Sequence, residues 1–208
     1  MEPTREPRSD VPQSAPERNE SPSPTGRRSF YEQALRASEQ TKGVQGFVAM
    51  VLLEVNLAPG SEHLSERILR PVTSKLAGLF DRRLRSVDLL VRTADTELAV
   101  LLAQAHLGVA ASFSERLRQP IEQALREMEL ASDIVVCMGL AANPPASVWR
   151  PDALIELADY RMRAARQRAA ASSTREWALE VDGDSAPPAW VDSELWPATT
   201  EMNSNSGV

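Results

Sequence analysis

The side chains of this chain best suited to chemistry stand close together: Arg85 and Asp88 in the run Arg85-Ser86-Val87-Asp88, then Arg92, Asp95 and Glu97. Arginine presents a planar fork of N–H donors that matches a phosphate edge or the O6 and N7 acceptors of guanine, and a carboxylate can accept from guanine N1–H and N2–H. Spaced three apart in a tight turn before a strand, both groups can point the same way. Arg92 and Asp95 repeat the spacing, and either pair standing alone also suits a surface ion pair worth under about 1 kcal/mol. Upstream, Glu54 and Asn56 close an apolar run, where solvation of a strand end competes with a metal-ligand role. His63 and His106 have no second histidine or cysteine nearby in sequence, so neither metal binding nor acid–base work is expected of them. Cys137 is the single cysteine; it excludes an intramolecular disulfide, fits a reducing compartment and reads as a small core residue.

The periodicity predicts the elements that carry these groups. Ser29 to Lys42 is expected to be helical, with Phe30, Ala34 and Leu35 on one side and Gly43 and Gly46 as breakers. Phe47 to Asn56 is almost continuously apolar, as a strand buried on both faces must be. A Pro59-Gly60 turn leads into a helix from Ser65 to Leu84 with Pro71 near its start. Leu89 to Arg92 and Glu97 to Ala103 read as strands either side of a turn. Ser112 to Met128 is helical, with Phe113, Leu117, Ile121 and Leu125 every fourth residue; Asp133 to Ala142 is a strand and Asp152 to Ala171 a closing helix. This order predicts an α/β fold, a ferredoxin-like mixed sheet flanked by helices.

Composition sets the outer bounds. With 208 residues, 42% of them apolar, the chain can bury one ordinary core and carry tails. Residues 1–28 hold six prolines, five acids and five arginines, with Val11 as the sole branched apolar residue, so disorder is expected there. Residues 29–171 form the expected domain. From 172 to 208 seven acids face one arginine, and Trp177, Trp190 and Trp196 sit among Asp, Glu, Pro and Ser; a disordered, solvating tail is expected. That tail accounts for the whole net charge of −6 and leaves the rest neutral, which argues against a nucleic-acid surface. No apolar run approaches the length of a membrane span and no signal-peptide core precedes the domain, so a cytoplasmic location is expected.

The stretch from Arg85 to Ala103 resembles the diguanylate cyclase (GGDEF) family, whose pattern runs R-x-x-D, an apolar link, an arginine, G-G-D-E-F and an apolar strand. Here the five signature positions read Ala94-Asp95-Thr96-Glu97-Leu98. Three more anchors keep the order: Glu54-Val55-Asn56 where the family has D-x-D, Ser114 to Arg118 like its A-E-R-I-R helix, and Val135 to Ala141 like its V-T-x-S-I-G-V-A strand. Leu154 to Arg166 is similar to its last helix, with Arg163 and Arg166 in place of a tyrosine and a lysine. The resemblance covers roughly Phe47 to Arg168 and implies a nucleotidyl cyclase-type sheet.

The resemblance also implies what is retained and what is altered. The family's metal-binding carboxylates correspond to Glu54 and Thr96, its signature glycines to Ala94 and Asp95, and its guanine-reading loop is not recognisable in Leu57 to Arg67. The expectation is therefore a degenerate domain that is not an enzyme, with no catalytic residue, metal or cofactor. The R-x-x-D pair, which in the family binds cyclic di-GMP, is intact, and a second arginine of that site corresponds to Arg116, with Arg118 as a fallback. Arg85, Asp88 and Arg116 are the expected ligand-binding residues. The function expected is a catalytically inactive cyclic di-GMP receptor that signals through a protein partner, with a ligand-bridged homodimer as one output. The alternative is a nucleotide-independent interaction scaffold.

Overall fold

The computed structural model describes residues 30, 32, 34, 48–143, 151–172 and 178–185. Strand β1 (Val48–Leu57) is followed by a short 3-10 turn at Glu66–Ile68 and helix α1 (Leu69–Asp81), then β2 (Leu89–Ala94), β3 (Glu97–Ala103), α2 (Leu107–Glu127), β4 (Ile134–Ala142), α3 (Pro151–Ala171) and β5 (Leu179–Asp182). The sheet runs β2-β3-β1-β4-β5, antiparallel throughout except that β5 lies parallel to β4. The mixed sheet flanked by helices is the expected fold. Pro71 is tolerated because it is the third residue of α1, where its missing N–H has no intrahelical acceptor.

Each strand divides its side chains between two cores, because successive residues leave opposite faces. On one face Val51, Leu53, Leu98 and Val100 pack with Val72, Leu76 and Phe80 of α1 and Phe113, Leu117 and Ile121 of α2. On the other, Met50, Leu52, Ala99, Leu101 and Cys137 pack with Leu154, Ala158, Met162 and Ala165 of α3, joined by Phe30 and Ala34. Burial pushes the Cys137 thiol up to about 12, as suits a core thiol. Helix α3 lies directly against β4 at Gly139, where a Cβ would fall 1.9 Å from the Ala158 carbonyl oxygen and 2.3 Å from the Met162 nitrogen.

Strand β5 corrects the expectation that a disordered tail begins at 172. Ala178 and Leu179 are buried, and Leu179 and Val181 extend the α1–α2 core. Two of the acids that suggested a solvated tail, Glu180 and Asp182, are engaged by α3 instead. Arg168 donates to Glu180 at 2.9 Å and to Asp182 at 2.7 Å, and buried Arg161 donates to the carbonyls of Leu140 and Ser185 at 2.7 and 3.1 Å. Asp182 also accepts from the backbone N–H groups of Asp184 and Ser185 and from the Ser185 hydroxyl. Burial would raise the Asp182 carboxyl, but the bonds from Arg168 and Ser185 outweigh it and hold the carboxyl below its ordinary value. The remaining tail residues, including the three tryptophans, and residues 1–28 lie outside the described residues.

Candidate functional site

Helix α1 ends at Asp81, and the chain returns to the sheet through Arg85 to Asp88. The Arg85 carbonyl accepts from the Asp88 N–H at 3.0 Å, which closes a tight turn. Asp88 fastens that turn from within: its carboxylate accepts from the Arg85 N–H at 2.9 Å, from Arg85 Nε and Nη2 at 3.0 and 2.8 Å, and from the Ala103 N–H at 3.1 Å. Four donors fill the capacity of a carboxylate. Arg85 Nη2 donates again, at 2.5 Å, to the Ala103 carbonyl, so the turn is pinned to the last residue of β3.

The two partners of this pair differ in access. The Asp88 side chain is 3% exposed and that of Arg85 is 52% exposed. With Nε and Nη2 committed, Nη1 of Arg85 donates to none of the described residues, and three bonds fix the plane of the guanidinium. Asp88 raises the Arg85 pKa further, so the charge is permanent. Geometry thus gives Asp88 the role of holding Arg85.

Arg116 stands on α2, which packs on α1. Phe80, near the end of α1, packs edge-on against Phe113 with ring centroids 5.9 Å apart, and Arg116 lies three residues beyond Phe113 on the neighbouring part of that helix face. It is exposed, and among the described residues nothing bonds to its guanidinium. Pro120, four residues later, has no N–H to give the Arg116 carbonyl, which locally opens the helix at this residue. Arg118 turns away: it pairs with Glu115 at 3.2 Å and donates to the Leu179 carbonyl at 3.3 Å. The fold therefore joins Arg85 to Asp88, leaves Arg116 exposed on α2 and ties Arg118 to the Leu179 carbonyl of β5.

At the opposite end of β2 and β3 lies the turn through Asp95. Arg92, expected to be a surface ion pair at most, is only 17% exposed and ties this turn to α1, donating to the carbonyls of Ala94, Asp95 and Arg70 and to the Ser74 hydroxyl. Burial lowers its pKa. Asp95 meets Arg70 at 3.7 Å. Glu97 is buried, not solvated at a strand end, and accepts from the Thr93 hydroxyl at 2.5 Å. It is the register partner of Glu54 across β1 and β3, so both side chains leave the same face of the sheet. Glu54 is held by Arg166 of α3 at 3.2 Å. Thr93 and Arg166 were not legible as partners in the sequence, since each meets its carboxylate only through the sheet bulge or across 112 residues.

The family model for the diguanylate cyclase GGDEF domain matches residues 63–172, over half of the chain. No curated protein sequence matches significantly. Among solved structures the chain is similar to the GGDEF domain of DgcB from Caulobacter crescentus in complex with c-di-GMP, at 17% identity and a TM-score of 0.55, covering 74% of this chain and 89% of that one. It is similar to the active GGEEF domain of a diguanylate cyclase from Vibrio cholerae, at 14% identity and a TM-score of 0.56, covering 77% and 97%. It also resembles the diguanylate cyclase SiaD, solved with its activator SiaC from Pseudomonas aeruginosa, at 19% identity and a TM-score of 0.52, covering 71% and 58%. At these identities the structural likeness is one of fold. The family match overturns the expectation that the chain is not an enzyme, because the family matched is that of a cyclase. Strand register also brings Glu54 and Glu97, far apart in sequence, onto one face of the sheet.

Proposed function

The chain belongs to the diguanylate cyclase GGDEF domain family, and on that premise we propose that it binds cyclic di-GMP at the Arg85–Asp88 turn and passes the ligand's presence to a protein partner. The observation that carries this reading is the fixed, half-exposed guanidinium of Arg85, with one edge locked by Asp88 and Ala103 and Nη1 bonded to none of the described residues. A donor fork held in place before the ligand arrives loses little entropy on binding. Arg116 supplies a second cation from α2. A ligand gripped by both at the surface still has an outer face, so a second copy or a partner can close over it. Such bridging stabilises the assembly by linkage.

Calorimetry with the full chain tests the reading. Binding of cyclic di-GMP in the micromolar range is expected, and light scattering during the titration should show a larger species. Absence of binding at about 100 μM, roughly 5.5 kcal/mol by the usual conversion, overturns it and leaves a nucleotide-independent interaction module.

A second reading, cyclisation of GTP at the far end of β3, is favoured by the family and by Glu54 standing opposite Glu97. Magnesium is held by one or two carboxylates together with substrate phosphates, and these two residues fit that number; the ion would neutralise triphosphate charge. Arg166 and Thr93 hold the two carboxylates on the α3 face. Incubation with GTP and Mg²⁺ tests it: cyclic dinucleotide should form, and Glu97→Gln should abolish it. No product from the wild type overturns this second reading and leaves the first intact.

A further inference from the structure

An edge strand is a template for another strand, and proteins blunt theirs with charge, proline or a cover. The two edges of this sheet differ in that respect. At one, β5 is four residues long, carries Glu180 and Asp182, and has its Val181 carbonyl already bonded to Arg168 at 3.1 Å. At the other, β2 offers Leu89-Leu90-Val91, three half-buried apolar residues with neither charge nor proline among them. Arg92, which could guard this edge, is turned toward α1 and bonds to Arg70 and Ser74 instead. In an antiparallel ladder, alternate residues of an edge strand turn their N–H and C=O groups away from its one neighbour. Among the described residues, nothing beyond the ladder with β3 bonds to the backbone from Leu89 to Arg92.

The sequence around β2 is complementary to its own reverse. A second β2 laid antiparallel, with Leu90 opposite the partner's Leu90, sets Leu89 opposite the partner's Val91. The same register brings Arg85, ahead of the strand, to the partner's Asp95, just past it, and a two-fold axis makes that contact twice. Both groups stand at the surface, with 52% of the Arg85 side chain and 58% of that of Asp95 exposed. Val87, the most exposed large apolar side chain among the described residues at 61%, falls opposite the partner's Thr93. The bulge after Arg92 ends the regular edge and confines the pairing to the start of the strand.

We propose that this chain self-associates edge to edge through β2, as a two-fold dimer with one sheet continuous across both copies. The inference goes beyond the nucleotide reading and stands without it. An edge this short buries little, so the dimer is weak, with a dissociation constant of about 10–100 μM, and the chain is monomeric at the lower concentrations of a ligand titration. The apolar run supplies the contact, and the arginine–aspartate pairs at its two ends select this register over a slipped one.

Sedimentation equilibrium of the full chain without nucleotide, from about 1 to 300 μM, tests this. Monomer should give way to dimer across that range. Hydrogen exchange at the upper end should slow at the β2 amides that face away from β3, which the single chain leaves open. Asp95→Arg sets an arginine against the partner's Arg85 at both ends and should weaken the dimer about tenfold, while an exposed turn position keeps the fold intact. A chain still monomeric at about 300 μM overturns the proposal. So does a dimer whose β2 amides exchange as fast as the monomer's and which Asp95→Arg leaves unchanged, because that dimer forms on another surface. Either result leaves cyclic di-GMP binding untouched, and failure to bind the nucleotide leaves the dimer standing.

Discussion

Arg85 and Asp88 divide one motif into a contact and its support. Arg85→Ala removes a charge-assisted donor and should cost about 1.5–3 kcal/mol of cyclic di-GMP binding, a tenfold to hundredfold loss by calorimetry, and it lowers stability too, because the buried Asp88 carboxylate loses two of its donors. Arg85→Lys should lose nearly as much, since an ammonium cannot keep Asp88 and the Ala103 carbonyl together while offering a further planar donor. Asp88→Ala acts on the ligand only through Arg85: it leaves the Ala103 N–H and the Arg85 guanidinium without their buried acceptor, and should lower stability by about 1–3 kcal/mol as well as weaken the ligand. Denaturant titration reads the loss of stability and calorimetry the loss of ligand. The identities of these residues were legible in the sequence, but their division of labour was not. Spacing shows that an arginine and an aspartate can meet; only the fold shows that a strand end competes for the same carboxylate.

Among the elements, the junction of β4 with α3 is the least forgiving. Gly139→Ala would drive a Cβ into the backbone of α3 at Ala158 and Met162, so the helix must lift from the sheet. A loss of at least about 1–3 kcal/mol is expected, read as a lower denaturation midpoint at an unchanged slope. Strand β5 depends on charge instead. Its Asp182 carboxyl titrates below the ordinary value near 3.9, so the stability it confers is complete at neutral pH and is lost as the pH falls below about 4 through the folded value. Hydrogen exchange across an acid series should show β5 amides losing protection before those of β1. Early loss at β1 would contradict that order. Strands β1 to β4 were legible because apolar runs and turn residues punctuate them. Strand β5 was not, because a four-residue strand carrying Glu180 and Asp182 looks solvated until Arg161 and Arg168 are known to lie over it. Helix α2 begins five residues before its expected start for a related reason: Leu107 to Ala111 adds little apolar period of its own.

At the scale of the whole molecule, the two ends of the β2–β3 hairpin hold different chemistry, the Arg85 turn at one and the Glu54–Glu97 pair at the other. In sequence Glu97 follows Asp88 closely, and the hairpin sends the two apart by the length of a seven-residue strand. Among the described residues no helix is long and apolar enough to cross a membrane.

The central position of β1 bears on how the chain is made. It comes first in sequence among the described strands, yet its neighbours follow much later, β3 beginning only at Glu97 and β4 at Ile134. Until they arrive, a ten-residue apolar segment presents two unpaired edges, the condition under which nascent strands associate with one another. Non-local pairing of this kind also slows closure of the sheet. Refolding from denaturant should therefore lose yield steeply as protein concentration rises. Adding a charge at Val51 would relieve that association only by sacrificing the core into which the strand must finally fit.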